Sequence, residues 1–212
     1  MKSKLIVIDG MPGSGKTTSA IMVSEQLTKL GVANHCLLEG EPNHPLLILD
    51  RQFDSLENEE EADEFIALIQ SRYKSFAEDK RKREEVTIIE SVMLQDTINT
   101  SFHMGMNREK LRQLSASMQE ILSPLTPALI YYYQLNPEAQ WRYICGIRGN
   151  EWGPVSFTSD DDFREAGELW SGSQAFVRAI IDSWQVPKLI IENSEYKWDE
   201  YRERIEDFIS KQ

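Results

Sequence analysis

Residues 4–18, KLIVIDGMPGSGKTT, constrain the fold of this chain more than any other stretch. Residues 5–8 form a short, fully apolar run, which predicts a strand that is buried on both faces. Residues 10–17 follow at once and have the spacing G-x-x-x-x-G-K-[ST]. A helical pattern comes next, so we predict a strand, a glycine-rich loop and a helix in succession.

The residue types in this loop suit the binding of phosphate groups. Gly10, Gly13 and Gly15 allow a sharp turn that points several backbone N–H groups at one anion. The start of the following helix adds its positive dipole end. Lys16 can reach the terminal phosphates of a nucleoside triphosphate, and the Thr17 hydroxyl can bind Mg²⁺. We therefore assign nucleotide binding to Gly10, Met11, Pro12, Gly13, Ser14, Gly15, Lys16, Thr17 and Thr18.

The length and charge of the chain narrow the classes of protein to consider. A chain of 212 residues is the size of one domain with a substantial core. Its net charge of −12 disfavours binding to nucleic acid, because backbone phosphates select clustered lysine and arginine. No apolar run approaches the length of a membrane span, and we recognise no signal peptide. We therefore expect a cytoplasmic protein that binds neither nucleic acid nor a membrane.

Four further strand patterns alternate with helical patterns along the rest of the chain. These strands are predicted at residues 36–38, 86–89, 128–133 and 187–191. The alternation predicts an α/β fold of three layers, in which helices cover both faces of a five-stranded parallel sheet. We expect a single domain over 1–212 with a helical, lid-like region at about 136–184. Loops are predicted over 101–107 and 149–162.

Acidic side chains follow the second and third predicted strands. Glu39 closes the second strand, Glu41 lies two residues further on, and Glu90 closes the third. Because the carboxyl ends of parallel strands meet at one edge of the sheet, these carboxylates should lie near the phosphate loop. A phosphotransferase needs such a carboxylate to orient or deprotonate the acceptor hydroxyl. We assign this role to Glu39 and Glu90 while leaving Glu41 open, and we assign Mg²⁺ to Thr17 and Glu90.

The loop resembles the Walker A motif of P-loop nucleoside triphosphate-binding proteins, and the order of elements is similar to their nucleoside and nucleotide kinase branch. In that branch, deoxynucleoside and thymidylate kinases carry Glu-Pro after the second strand, which Glu41-Pro42 matches. They also end the third strand on an acidic residue, which Glu90 matches, although Ser91 stands where an arginine is common. Their lid is rich in arginine, and Arg142 and Arg148 lie in the corresponding region. The resemblance implies a P-loop NTPase fold whose lid arginines close over the phosphates.

The resulting hypothesis is a phosphotransferase that depends on ATP and Mg²⁺ and acts on a small acceptor, either nucleoside- or nucleotide-like or another hydroxyl compound. Its catalytic residues would be Lys16, Glu39, Glu90, Arg142 and Arg148. We expect ATP rather than GTP, and a GTPase switch fits less well because no Asn-Lys-x-Asp motif is present. The alternative is a nucleotide-binding regulatory module or a slow ATPase without an acceptor, since the third strand lacks both the following arginine and a Walker B aspartate. The sequence leaves the oligomeric state open, a homodimer included.

Overall fold

A sheet of five parallel strands lies at the centre of the molecule. The computed structural model describes residues 2–152, 155–193 and 195–212. The strands of this sheet are β1 (Leu5–Gly10), β2 (Asn34–Leu37), β3 (Val86–Glu90), β4 (Ala128–Gln134) and β7 (Lys188–Asn193). They lie side by side in the order β2-β3-β1-β4-β7. Because all neighbouring strands are parallel, their carboxyl ends meet at one edge.

Helices cover both faces of this sheet. In β1, Leu5 and Val7 point to one face, while Ile6 and Ile8 point to the other. The first face is covered by α2 (Glu59–Arg81), α4 (Arg108–Leu122) and α6 (Asp160–Ser183). The second face is covered by α1 (Lys16–Lys29) and α7 (Trp198–Ser210). The predicted fold class, three layers around a five-stranded parallel sheet, is confirmed.

Local capping explains where the two long helices on the first face begin. The Asn58 side chain accepts hydrogen bonds from the first free N–H groups of α2, and Asn107 does the same for α4. The first turn of α2 is acidic and its last turn is basic, as the sequence pattern indicated, which complements the helix dipole.

Within the described residues, we find no helix with the length and apolar character that a membrane crossing requires.

Two segments that were predicted as loops contain regular structure. Within 101–107, the short helix α3 (Thr100–His103) takes up the first half. Within 149–162, strands β5 (Glu151–Trp152) and β6 (Val155–Ser156) pair in antiparallel fashion, and α6 begins before the segment ends. The two residues between these strands lie outside the described residues. Strands of this length are too short to show the alternation by which a strand is identified, so the loop prediction for this segment was wrong.

A π-helix over Val92–Asn99 follows β3, where the sequence predicts only a helical stretch. Ser91 precedes it with a left-handed φ of 70°. The Asp9 carboxylate accepts hydrogen bonds from Leu94 N–H at 2.7 Å and from Gln95 N–H at 3.0 Å. N–H groups at the start of a helix lack partners inside it, so Asp9 caps the π-helix and fixes it to the end of β1. Helix α5 (Pro137–Arg148) follows β4.

Candidate active site

A cavity of about 540 Å³ opens at the carboxyl edge of the sheet. The phosphate loop and the start of α1 form its floor, and Glu39, Glu90 and Gln95 form one wall. The opposite wall comes from α5, β5 and α7, and includes Tyr143, Ile144, Arg148, Trp152, Trp198 and Tyr201. The cavity therefore lies where the sequence places the site, at the ends of the first three strands.

Six of the nine predicted loop residues line this cavity: Pro12, Gly13, Gly15, Lys16, Thr17 and Thr18. The other three, Gly10, Met11 and Ser14, are buried behind the loop. The Met11 carbonyl accepts the Ser14 N–H at 3.2 Å, which closes the turn. These three residues therefore shape the loop from behind rather than face the cavity.

Two glycines in the loop combine a positive φ with close contact to a neighbouring helix. Gly13 has a φ of 73°, and a Cβ there would lie 2.6 Å from Ile144 Cγ1 of α5. Gly15 has a φ of 96°, and a Cβ there would lie 2.8 Å from the Trp198 ring of α7. Positive φ favours glycine, and the close contacts leave no space for a side chain. The loop is thus packed directly between α5 and α7.

Lys16 is buried, and its side chain lines the cavity. Its Nζ donates hydrogen bonds to the Met11 carbonyl at 3.0 Å and to Gln95 Oε1 at 2.8 Å. Burial lowers the pKa of Lys16, while the carboxylates of Asp9 and Glu90 act in the opposite direction. An ammonium group has three donors, so one remains for a phosphate oxygen.

The Thr17 hydroxyl and the Glu90 carboxylate are adjacent. Thr17 Oγ1 donates to Glu90 Oε1 at 3.1 Å, and Ser91 Oγ donates to the same oxygen at 3.0 Å. The backbone N–H of Glu39 donates to Glu90 Oε2 at 3.1 Å. Hydroxyl and carboxylate oxygens are ligands that suit Mg²⁺, so this pair fits the ion that the fold implies. No three His, Cys, Asp or Glu side chains in the described residues are grouped to hold a metal, so phosphate oxygens and water would complete its coordination.

The two glutamates after β2 are placed differently. Glu39 is exposed and lines the cavity. Glu41 Oε1 instead accepts the Leu38 N–H of its own turn at 3.2 Å, and Glu41 is not among the residues that line the cavity. The structure therefore brings Glu39 and Glu90 together with Lys16, and leaves Glu41 in the adjoining turn.

The two predicted lid arginines, both on α5, also differ. Arg148 is exposed at the end of the helix and lines the cavity. Arg142 forms ion pairs with Glu138 at 2.9 Å and with Asp160 at 2.7 Å, and its guanidinium lies over the Phe163 ring. Arg142 is therefore held against α6 outside the cavity, and the structure does not bring it to the predicted site.

Three polar side chains near Lys16 were not predicted: Asp9, Gln95 and Asp96. Burial raises the pKa of Asp9 to about 7, against the effect of its N–H donors and of Lys16. Burial also raises the pKa of Asp96 to about 8, and the charges of Glu39 and Asp9 add to the effect. The one signal in the sequence was Asp9 itself, because an acidic residue directly after a buried apolar run needs partners to offset its desolvation.

An aromatic wall at α5 and α7 was also missed. The rings of Tyr143 and Tyr196 stack with centroids 4.1 Å apart, and the Tyr196 hydroxyl donates to Gln140 Oε1 at 3.0 Å. Gln140 Nε2 in turn donates to the Pro12 carbonyl at 2.9 Å, which ties this wall to the phosphate loop. The Trp198 ring, which is 38% exposed, continues the wall over the start of α1. These residues come from distant parts of the chain, so no local pattern joins them.

Comparisons with known proteins find similarity in structure alone. No family model matches the chain. No curated protein matches it in sequence. The thymidylate kinase of Ehrlichia chaffeensis has a TM-score of 0.57 and 15% identity, with 100% of this chain and 98% of that chain covered. The YorR protein of Bacillus subtilis, solved in complex with phosphorylated GDP, has a TM-score of 0.52 and 13% identity over 97% of this chain and 95% of that chain. The chain therefore shares the α/β fold of this thymidylate kinase and of YorR.

Proposed function

We propose that this protein is a phosphotransferase that uses ATP and Mg²⁺ and acts on a small hydroxyl-bearing acceptor, nucleoside- or nucleotide-like in the first instance. One observation carries the proposal. A single cavity contains the phosphate loop with Lys16, the Thr17–Glu90 pair and the further carboxylate of Glu39. The shared fold with a thymidylate kinase supports nucleotide phosphotransfer as the class of reaction.

The loop and its two polar side chains would stabilise the phosphates. Backbone N–H groups of the loop would hold the phosphate oxygens, and the free donor of Lys16 would neutralise charge on the γ-phosphoryl group as it is transferred. Thr17 and Glu90 would hold Mg²⁺. When bound, this ion offsets the negative charge of the phosphates.

The aromatic wall and Arg148 would bind the rest of the nucleotide. Tyr143 and Trp198 present ring faces and edges of a kind that stack on a nucleobase. Arg148, at the end of α5, lines the same cavity and would contact the phosphates. In this proposal the chain is one domain over 1–212, and residues 136–184 are the lid that closes over the bound nucleotide.

Glu39 is our choice for the carboxylate that takes the proton of the acceptor. Both oxygens of Glu90 already accept hydrogen bonds, from Thr17, Ser91 and the Glu39 N–H. The Glu39 carboxylate is exposed in the same wall of the cavity. It can therefore meet an acceptor hydroxyl without breaking the pair that would hold Mg²⁺.

Radiolabelled phosphate transfer tests the proposal directly. The protein is incubated with [γ-³²P]ATP, Mg²⁺ and a panel of nucleosides, nucleoside monophosphates and sugars. We expect label on at least one acceptor, and we expect both EDTA and Lys16→Met to abolish the transfer. Tight ATP binding without label on any acceptor would refute the proposal and leave the regulatory module or slow ATPase in its place.

A further inference from the structure

The side-chain amide of Gln95 contacts Lys16, the residue proposed to meet the γ-phosphate. Gln95 Oε1 accepts the Lys16 ammonium at 2.8 Å, while Gln95 Nε2 donates to Asp96 Oδ1 at 3.3 Å. An ammonium group has donors only, so the atom of the amide beside Lys16 must be its oxygen. The amide is therefore fixed in one orientation, with an accepting oxygen at the wall of the cavity.

The backbone of Gln95 is held as firmly as its side chain. Its N–H donates to Asp9 Oδ1 at 3.0 Å, and the left-handed Ser91 sets the start of the π-helix that carries it. π-helical turns are rare and are frequent at functional sites, because the widened turn changes where a side chain points. Here the turn directs Gln95 onto Lys16.

The distances place the amide oxygen beside the reacting phosphate. A phosphate oxygen bound to Lys16 lies about 2.8 Å from Nζ. Gln95 Oε1 lies 2.8 Å from the same nitrogen, so the two oxygens are at most about 5.6 Å apart. An acceptor hydroxyl can bridge Gln95 Oε1 and the phosphorus that carries this phosphate oxygen, since a hydrogen bond of about 2.7 Å and a near-attack distance of about 3–3.5 Å together span up to about 6 Å.

We propose that Gln95 orients the acceptor hydroxyl for phosphoryl transfer, an inference that rests on the proposed function. The hydroxyl donates its hydrogen bond to the second lone pair of Gln95 Oε1 and turns an oxygen lone pair towards the γ-phosphorus. The new O–P bond forms as the bond from the γ-phosphorus to the bridging oxygen breaks, and that electron pair leaves with ADP. The acceptor oxygen becomes more acidic as its bond to phosphorus forms, and its O–H then turns from Gln95 Oε1 to the Glu39 carboxylate, which takes the proton. Asp96 is a positioning residue, because it holds the amide nitrogen away from the cavity.

A comparison of two glutamine variants tests the inference. Gln95→Leu keeps the bulk of the side chain and removes the accepting oxygen, while Gln113→Leu makes the same change on the exposed surface of α4. We expect Gln95→Leu to lower kcat for transfer about 10- to 100-fold, the range for a misplaced reacting group. Its ATP affinity, measured by calorimetry, should stay within about threefold, since a donor of Lys16 and the loop N–H groups remain. Gln113→Leu should match the wild type in both.

The role of Asp96 is tested by a double-mutant cycle. Asp96→Asn should lower kcat less than Gln95→Leu does, and the double variant should be no slower than Gln95→Leu alone. Additive losses would show that Asp96 acts by another route. If Gln95→Leu fails to fold, Gln95→Asn replaces it, because one methylene less withdraws the oxygen from Lys16 and should produce the same loss of rate.

The outcomes separate this inference from the proposed function. A wild-type protein that labels no acceptor overturns both. A wild-type protein that labels an acceptor, combined with normal transfer by Gln95→Leu, overturns the inference alone. Equal losses of ATP affinity and kcat in Gln95→Leu would also overturn it, because they would indicate a damaged loop instead of a misdirected hydroxyl.

Discussion

Glu90→Gln tests the pair that is proposed to hold Mg²⁺. Glu90 is buried, with 3% of its surface exposed, and its two oxygens accept three hydrogen bonds. A glutamine of the same shape has a single accepting oxygen. If that oxygen takes the place of Oε1, it still accepts the hydrogen bonds of the Thr17 and Ser91 hydroxyls. The amide NH₂ group then faces the Glu39 N–H, which is also a donor. One backbone donor is left without its acceptor.

The loss of stability in Glu90→Gln follows from this one unsatisfied donor. A donor left unsatisfied costs about 1–3 kcal/mol of folding free energy. For a chain of 212 residues, about 1 kcal/mol corresponds to a Tm change of roughly 2–4 °C, so Tm should fall by about 2–12 °C. Thermal unfolding followed by circular dichroism measures this change.

The loss of charge should have a second, separate effect on Mg²⁺. We expect Mg²⁺ to tighten ATP binding to the wild type at least about tenfold, on the order of 1.4 kcal/mol, and to have little effect on Glu90→Gln. Calorimetry with and without Mg²⁺ gives both affinities. The control is Glu41→Gln, because Glu41 caps its own turn away from the cavity. If Glu90→Gln keeps the wild-type response to Mg²⁺, the assignment of the ion to the Thr17–Glu90 pair is wrong.

Three further predictions concern the loop, the lid and the buried acid. Gly13→Ala should weaken ATP binding at least about tenfold and destabilise the fold by about 1–2 kcal/mol, because φ is 73° and the new Cβ would meet Ile144. Arg148→Ala should slow phosphate transfer about 10- to 100-fold without changing Tm, while Arg142→Ala should alter Tm and transfer little, since exposed ion pairs contribute about 0–1 kcal/mol. The pKa of Asp9 rises from 3.8 to about 7 on folding, so the folded state binds the extra proton and stability should fall as pH rises from about 4 to 7. Urea unfolding should show that the stability of Asp9→Asn falls less than that of the wild type across this pH range.

Each of these predictions has its own control. Gly31→Ala has the same φ of 73° but meets no atom within 4 Å, so it separates backbone strain from the clash at Gly13. Equal ATP affinity in Gly13→Ala and Gly31→Ala would contradict the packing argument. Equal transfer rates in the Arg148 and Arg142 variants would contradict the assignment of the lid arginine. An unchanged pH dependence in Asp9→Asn would mean that another group causes it.

The sequence predicted the parts of the site that depend on local chemistry. The phosphate loop is recognisable because the glycines, Lys16 and Thr17 occupy consecutive positions between a strand and a helix. Glu39 and Glu90 could be placed because parallel strands end at a common edge, whatever their neighbours. The common edge of parallel strands is a property of the backbone, however. It could not show that the Glu41 carboxylate turns back and accepts the Leu38 N–H.

The features that the sequence did not show depend on contacts between distant elements. The helical pattern of α5 does not tell which side of the helix faces the loop, so Arg142 and Arg148 were indistinguishable until Asp160 of α6 was seen to pair with Arg142. The position of Gln95 depends on a π-helix, and that helix is set by the cap from Asp9, about 85 residues earlier in the chain. Neither relation leaves a periodic pattern in the sequence.

The electrostatics of the cavity connect stability with the proposed activity. Lys16 lies among the carboxylates of Asp9, Glu39, Glu90 and Asp96, and Asp96 Oδ2 is buried without a hydrogen-bond partner among the described residues. Burial raises the pKa values of Asp9 and Asp96, and repulsion from the charges of Glu39 and Asp9 raises the pKa of Asp96 further. A cation that arrives with a nucleotide would relieve this repulsion, whereas a free triphosphate would increase it. In the proposed function, the same carboxylates would therefore favour the Mg²⁺ complex of the nucleotide over the nucleotide alone.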